Sequence, residues 1–320
     1  MSSAEKIAKM NAWEKWIYAL KVKSWPKLLV PCFFGQCFGY FHSPLPSLSI
    51  VFLGLLFTIF LLGYIVLLND YADINVDTIK RKLFPNDCSP KTIPDQILNQ
   101  RSILIAGIIS GFLSMFVAFM LELYTERSFV LFFSFVCIIV FAAYSLPPLR
   151  LNYRGGGELL EMIGVGFMLP LFHFYLHLGI QYDSVFLSLL LISTLFAFSS
   201  ALASGLSDEE SDRIGGKSTF VNRFGNANVR TMITMTVIIN YFLMIVFCFY
   251  FYEILPLAFI IFILLYFLYH IYFILKFSPI AVTNAFGPQK IYKDHLHKLI
   301  WGSIILLSLI LNLSFVSRVI

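Results

Sequence analysis

Charge is what this sequence has least of. Only 13% of its 320 residues are Asp, Glu, Lys or Arg, while 59% are hydrophobic. A soluble domain carries about 25% charged residues, so an ordinary water-soluble globular fold is excluded. The long apolar runs lack the alternating pattern of a membrane barrel. Five cysteines (Cys32, Cys37, Cys88, Cys137 and Cys248) show no metal-ligand spacing, so neither zinc nor disulfides are expected. The N-terminal stretch "MSSAEKIAKMNAWEKWIYALKVKSW" has no short apolar core with a small-residue cleavage site, and no signal peptide is read there.

What is present is apolar sequence in blocks. Crossing a bilayer takes about 20 apolar residues as a helix. Nine blocks qualify, at 25–42, 47–68, 102–121, 128–144, 159–178, 184–206, 229–251, 254–275 and 299–317. The blocks at 25–42 and 128–144 are the weakest, being short or interrupted by polar residues. Residues 1–24 read as a basic amphipathic helix lying on the membrane surface. With the N-terminus inside and nine spans threaded, 21 of the 23 basic residues fall on the inner side, leaving only Arg127 and Arg318 outside. Cytoplasmic loops carry such an excess of Lys and Arg, so the N-terminus and the long polar loops are placed in the cytoplasm. The net charge of +5 then reflects topology and gives no reason to expect nucleic acid.

Two inner loops stand out. The first contains "NDYADINVD", with Asn69, Asp73 and Asp77 four apart and Lys82 five further on. The second contains "SDEESDRIGGKST", with Ser204, Asp208 and Asp212 at the same spacing and Lys217 five further on. The offset between the sets is 135 residues at every position, an internal repeat of nearly half the chain. The expected fold class is therefore an all-α integral membrane protein. It has nine transmembrane helices in two pseudo-repeated halves, about 25–150 and 158–320, around a central cavity.

Residues four apart share one helix face. Asn69, Asp73 and Asp77 thus form one stripe, with Asp70 on its flank, and Asp208 and Asp212 form another. Stacked like charges repel unless a cation lies between them. Mg²⁺ takes one or two carboxylates, several waters and phosphate oxygens, so these six residues are candidate ligands for Mg²⁺ holding a diphosphate. Asp73, Asp77, Asp208 and Asp212 would carry the chemistry. Lys82, Lys91 and Lys217 are candidates to neutralise the diphosphate directly, whereas Lys80, Arg81 and Arg213 fit that role and simple topology equally. The glycines of "RIGGK" lack phosphate-loop spacing, so no nucleotide site is expected.

The loop "YSLPPLRLNYRGGGELLE" adds Arg150 and Arg154 as diphosphate candidates and Tyr144 as a candidate for shaping or orienting substrate. Tyr144 equally fits an interfacial belt tyrosine. Glu158 reads as a helix first-turn acid more readily than as a base. His173 and His177 lie four apart but have no carboxylate or cysteine partner, which disfavours a metal role. Some of the 35 phenylalanines could line a tunnel for an isoprenoid chain.

"NDYADINVD" resembles the NDxxDxxxD motif of the UbiA-type intramembrane prenyltransferase superfamily, and "SDEESDRIGGKST" resembles its second DxxxD motif. "YSLPPLRL…GGGEL" looks like the intervening loop of several quinone, tocopherol and chlorophyll branches. "LKVKSWP" is similar to the basic segment before the first span in the dihydroxynaphthoate branch, which adds Lys21 to the diphosphate candidates. The resemblance implies a transferase in which Mg²⁺ binds at both motifs, the diphosphate departs and an allylic cation alkylates an aromatic ring. The implied partners are a prenyl diphosphate, a small aromatic acceptor and the lipid bilayer. The implied role is quinone or meroterpenoid biosynthesis. A membrane terpene cyclase of the same fold is the alternative. A cation-coupled transporter is disfavoured, because the acids lie at span ends and not near a bilayer centre.

Overall fold

The computed structural model describes residues 10–319, with side chains to residue 314. The first nine residues of the amphipathic segment expected over 1–24 lie outside the described residues. The rest of that segment contains a short helix, α1 (Ala12–Ala19), started by a capping box. The Glu14 N–H donates to Asn11 Oδ1 at 2.9 Å and the Asn11 N–H to Glu14 Oε2 at 2.8 Å, so two otherwise unpaired donors are satisfied. Lys21 then adopts a left-handed conformation, φ 48°, and turns the chain into α2 (Pro26–His42), with Pro26 at the first helical position.

The remaining elements are α3 (Leu48–Ala72), α4 (Ile74–Leu83), α5 (Gln100–Thr125), α6 (Val130–Ser145), α7 (Gly157–Leu178) and α8 (Ser184–Gly205). The short α9 (Glu209–Ile214) and α10 (Phe220–Phe224) precede α11 (Asn226–Tyr250), α12 (Leu257–Phe277) and α13 (Phe286–Val319). Seven of these, α3, α5, α7, α8, α11, α12 and α13, are long and apolar enough to cross a membrane. The two blocks that were weakest in sequence form α2, of 17 residues, and α6, of 16. At 1.5 Å per residue, sixteen residues reach about 24 Å, short of a hydrocarbon core of about 30 Å.

The long helices pack in a closed order: α3 against α5, α2 against α7, α7 against α8, α8 against α11, α12 against α13, and α13 back against α2. One apolar cluster joins α3, α5, α6 and α7, with Phe57, Leu61 and Phe172 fully buried. A larger one joins α2 and α8 to α11–α13 around Phe34, Phe186, Phe196 and Phe267. The α2–α7 crossing is close. A Cβ on Gly35 would lie 2.2 Å from the Pro170 carbonyl oxygen, and one on Gly39 would lie 2.8 Å from the His177 ring. Small residues let membrane helices approach this way.

Inside the bundle, α2, α3 and α7 share a buried polar chain. His177 Nε2 and Gln36 Oε1 are 2.6 Å apart, Gln36 Nε2 and His173 Nδ1 3.0 Å, and His173 Nε2 and Thr58 Oγ1 2.8 Å. With both imidazoles neutral every donor points the same way, ending at Thr58 Oγ1, which donates to the Gly54 carbonyl at 3.1 Å. Gly54 is required here, since a Cβ would fall 2.0 Å from Gln36 Nε2. The two histidines are thus occupied in hydrogen bonds that join helices.

Candidate active site

The first acidic stretch straddles a helix break. Asp73, at φ −98° and ψ 10°, separates α3 from α4. The hydrogen bonding nevertheless continues across the break: the Asp73 N–H donates to the Asn69 carbonyl at 2.9 Å and the Asp77 N–H to the Asp73 carbonyl at 2.8 Å. In the second stretch α8 ends at Gly205 and Asp208 begins α9. There the Asp212 N–H donates to the Asp208 carbonyl and the Lys217 N–H to the Asp212 carbonyl, each at 2.8 Å. α4 packs on α9, so the two acidic ends meet.

Their carboxylates are held by lysines, and two of the pairs cross between the halves of the chain. Lys217 Nζ donates to Asp73 Oδ2 at 2.6 Å and lies 3.8 Å from Asp212 Oδ1. Lys80 pairs with Asp208. Asp73 and Asp208 are the equivalent positions of the 135-residue repeat, so each half lends a lysine to the same position of the other. Asp77 receives Lys91 at 2.6 Å, and Asp70 receives Lys21 together with the Thr92 hydroxyl at 2.7 Å.

A second layer orients this set. The Tyr153 hydroxyl donates to Asp73 Oδ1 at 3.0 Å, and the Arg150 guanidinium lies 3.6 Å from the Tyr153 ring centroid while donating to the Ala72 carbonyl at 3.0 Å. Asn69 Nδ2 donates to Asp73 Oδ2 at 3.3 Å, and Asn69 Oδ1 receives the Ser145 hydroxyl at 3.0 Å. The structure brings Lys21, Lys91, Arg150 and Lys217 to the acidic ends, along with Asn69 and the five aspartates. Lys82 and Arg154 are exposed outside this cluster. Glu158 Oε1 accepts the Phe220 N–H at 2.8 Å and so supports the start of α10.

Asp70, Asp73, Asp77 and Asp208 each have a lysine ammonium in direct contact, whereas Asp212 has only the 3.8 Å contact to Lys217. Asp212 is the least closely paired of the five. Burial, with Asp208 and Asp73 adding to it and Lys217 opposing, raises its pKa from 3.8 to about 7. At Asp208 the low-dielectric surroundings also disfavour charge, but Lys80, Lys91 and Lys293 outweigh them and hold the carboxyl at about 2. Burial would lower the pKa of Lys217, yet Asp73 and Asp212 raise it. A buried cluster of carboxylates, with only oxygen donors on its acidic residues, fits a hard divalent ion. Among the described residues no three His, Cys, Asp or Glu side chains are already grouped around one metal position, because the ammonium groups stand between the carboxylates.

Beside Asn69 lies a cavity of about 210 Å³ between α2, α3, α6 and α7. Leu62, Ile65, Phe141 and Val165 form apolar wall, and Lys21, Lys27, Asn69, Tyr144 and Glu161 supply its polar spots. Tyr144 therefore faces this cavity. Lys27 pairs with Glu161 and donates to Ser204 Oγ at 3.3 Å, which ties the cavity rim to the repeat partner of Asn69. Thr92, Tyr153, Lys27 and Glu161 escaped sequence reading. Lys80 had a visible signal, its place in the basic run "KRK" at 80–82 just after the first acidic stretch. The other four belong to no recurring spacing.

The sequence model of the UbiA prenyltransferase family matches residues 28–293. No curated protein sequence matches the chain. Among solved structures, one described for digeranylgeranylglyceryl phosphate synthase superimposes with a TM-score of 0.60 at 16% identity, covering 95% of this chain and 99% of its own. A UbiA homolog from Archaeoglobus fulgidus, bound to GPP and Mg²⁺, gives 0.64 at 17% identity, covering 91% and 99%. The apo UbiA homolog from Aeropyrum pernix K1 gives 0.65 at 14% identity, covering 90% and 99%. At these identities the likeness is one of fold.

Proposed function

The chain belongs to the UbiA prenyltransferase family, and from that premise we propose that it is a Mg²⁺-dependent enzyme moving a prenyl group from a prenyl diphosphate to an aromatic acceptor, for quinone or meroterpenoid synthesis. The observation that carries the reading is the pair of facing aspartate sets, cross-neutralised by lysines and opening beside an apolar cavity. The solved UbiA homolog with bound GPP and Mg²⁺ supports the choice of ligands by its fold.

In this reading Asn69, Asp70, Asp73, Asp77, Asp208 and Asp212 hold the metal–diphosphate. Bound Mg²⁺ would neutralise diphosphate charge as the carbon–oxygen bond breaks. Lys21, Lys91, Lys217 and Arg150, with Lys80, lie where they can pair with phosphate oxygens once their present partners turn to the metal. The apolar wall takes the prenyl chain. The Phe141 and Tyr144 rings offer electron-rich faces to the allylic cation and help exclude water from it. The same reading has α2 and α6 completing nine spans in two pseudo-repeated halves, with the N-terminus and the acidic loops on the cytoplasmic side.

The test is to incubate purified protein with prenyl diphosphates of several lengths and a panel of aromatic acids, with Mg²⁺ or with chelator, and to analyse products by mass spectrometry. Prenylated aromatic product that disappears with chelator is the expected result. Cyclised hydrocarbon formed without acceptor would replace this reading with a terpene cyclase. Release of no diphosphate from any donor would refute both.

A further inference from the structure

One carboxylate has no place among the lysine-paired aspartates. Glu161 lies in the cavity wall with Phe141, Tyr144 and Asn69, and it is the only carboxylate among the described residues that line this space. Lys27, from the first turn of α2, pairs with it and offsets the cost of a charge in this partly apolar cavity. Glu158, one turn earlier on the same helix, is engaged by the Phe220 N–H, so the two glutamates of "GELLE" do different work. The α-helical hydrogen bonding stops at Glu161, and residues Met162–Met168 form a π-helical stretch. Such widened turns are common where a side chain must be aimed at a site.

We propose that Glu161 accepts the proton that leaves the aromatic ring during prenyl transfer, an assignment that rests on the aromatic-acceptor reading above. The reaction demands such a group. The donor C1–oxygen bond breaks, and its electron pair stays with the diphosphate. A π pair of the ring forms the new carbon–carbon bond, which leaves the ring cationic with both a hydrogen and the prenyl group on one carbon. The C–H electron pair then returns to the ring, and the proton goes to a Glu161 oxygen. A cationic ring is a strong acid, so an ordinary carboxylate is basic enough if it is well placed. The motif aspartates serve the diphosphate end, whereas Glu161 lines the cavity beside Asn69, Phe141 and Tyr144. The departing diphosphate is the competing proton acceptor, and the experiment separates the two.

The test compares wild type with Glu161→Gln and Glu161→Asp. The substrates are geranyl diphosphate and whichever aromatic acid wild type converts, supplied with hydrogen or deuterium at the carbon that is prenylated. Glu161→Gln should form product about 10²-fold more slowly. It should also show a ring-deuterium isotope effect absent in wild type, and release more diphosphate and prenyl alcohol per prenylated ring. Glu161→Asp keeps the charge and the pairing partner. It should recover much of the rate while retaining a measurable isotope effect from its shorter reach, which keeps the test informative if the glutamine variant folds poorly. Variants that lose rate with no isotope effect and no prenyl alcohol would overturn the assignment, leaving Glu161 as a strut between α2 and α7. Wild type that prenylates no aromatic acid would instead overturn the acceptor reading itself.

Discussion

Lys217 joins the two halves of the chain at one point. Its ammonium lies 2.6 Å from Asp73 and 3.8 Å from Asp212, with 8% of the residue exposed. Replacing it with methionine keeps the aliphatic stem and leaves two carboxylates facing each other out of water. Removing one partner of a buried ion pair costs about 3–5 kcal/mol. At about 2–4 °C per kcal/mol, Lys217→Met should lower the apparent unfolding temperature in detergent by about 6–20 °C without metal. Mg²⁺ should then restore more stability to the mutant than to wild type, because in wild type the ion must displace an ammonium before it meets those oxygens. Anything that binds only the folded form stabilises it, by an amount that grows with the logarithm of its concentration over its Kd. Tryptophan fluorescence melts with Mg²⁺ and with chelator would read both effects, and turnover should fall because the diphosphate loses a counter-charge. Unchanged melting without metal, or a smaller Mg²⁺ response than wild type, would refute the placement of Lys217 between the two halves.

The same geometry sets further expectations. Lys80→Ala should reduce diphosphate release by at least tenfold, while Lys82→Ala, on the exposed side of α4, should stay close to wild type; equal losses in a release assay would contradict the cross-pairing with Asp208. Asp73→Ala and Asp208→Ala should each abolish turnover while the protein still inserts and purifies as a monodisperse species, and full activity in either would remove the metal assignment. Turnover at limiting Mg²⁺ should rise with pH through about 7, as Asp212 loses its proton, and Asp212→Asn should lack that rise. Stability without metal has the opposite sign. The folded-state value lies above the ordinary 3.8, so Asp212 stabilises most below about pH 4, and that contribution fades as pH climbs from there to about 7. A wild-type melting profile as flat as that of Asp212→Asn would count against the shift.

The acidic ends were readable because they are periodic. Four-residue spacing survives in the fold even across the break at Asp73, since the backbone bonds from Asp73 to Asn69 and from Asp77 to Asp73 remain. The 135-residue offset likewise picks out Asp73 and Asp208, each of which pairs with a lysine from the opposite half of the chain. Counting failed one step further along. A lysine five residues past each motif looks equivalent in sequence, but Lys217 lies beyond a turn through Gly215 and Gly216, whereas Lys82 sits on a continuous helix that turns it to the exposed side and Lys80 inward. Tyr153 and Thr92 reach Asp73 and Asp70 from loops 80 and 22 residues away, and no local pattern announces such contacts. Glu161 was hidden because nothing in its spacing sets it apart, while its neighbour Glu158, at the start of α7, supports the start of α10. The apolar blocks gave helix positions well, and α2 and α6 were marginal for a physical reason, being the shortest.

The chain from His177 through Gln36 and His173 to Thr58 bears on how the bundle assembles. In lipid, apolar side chains gain little by meeting one another, so two greasy helices can slide or rotate past each other at small cost. A directional relay spanning α2, α3 and α7 removes that freedom. Shifting any one helix by a single residue would leave several polar atoms bare in hydrocarbon, each costing several kcal/mol. The helix that carries Gln36 is, at 17 residues, one of the two shortest of the bundle's apolar helices. The relay is complete only when α2, α3 and α7 stand in the arrangement that also brings Asn69 and Glu161 to one cavity.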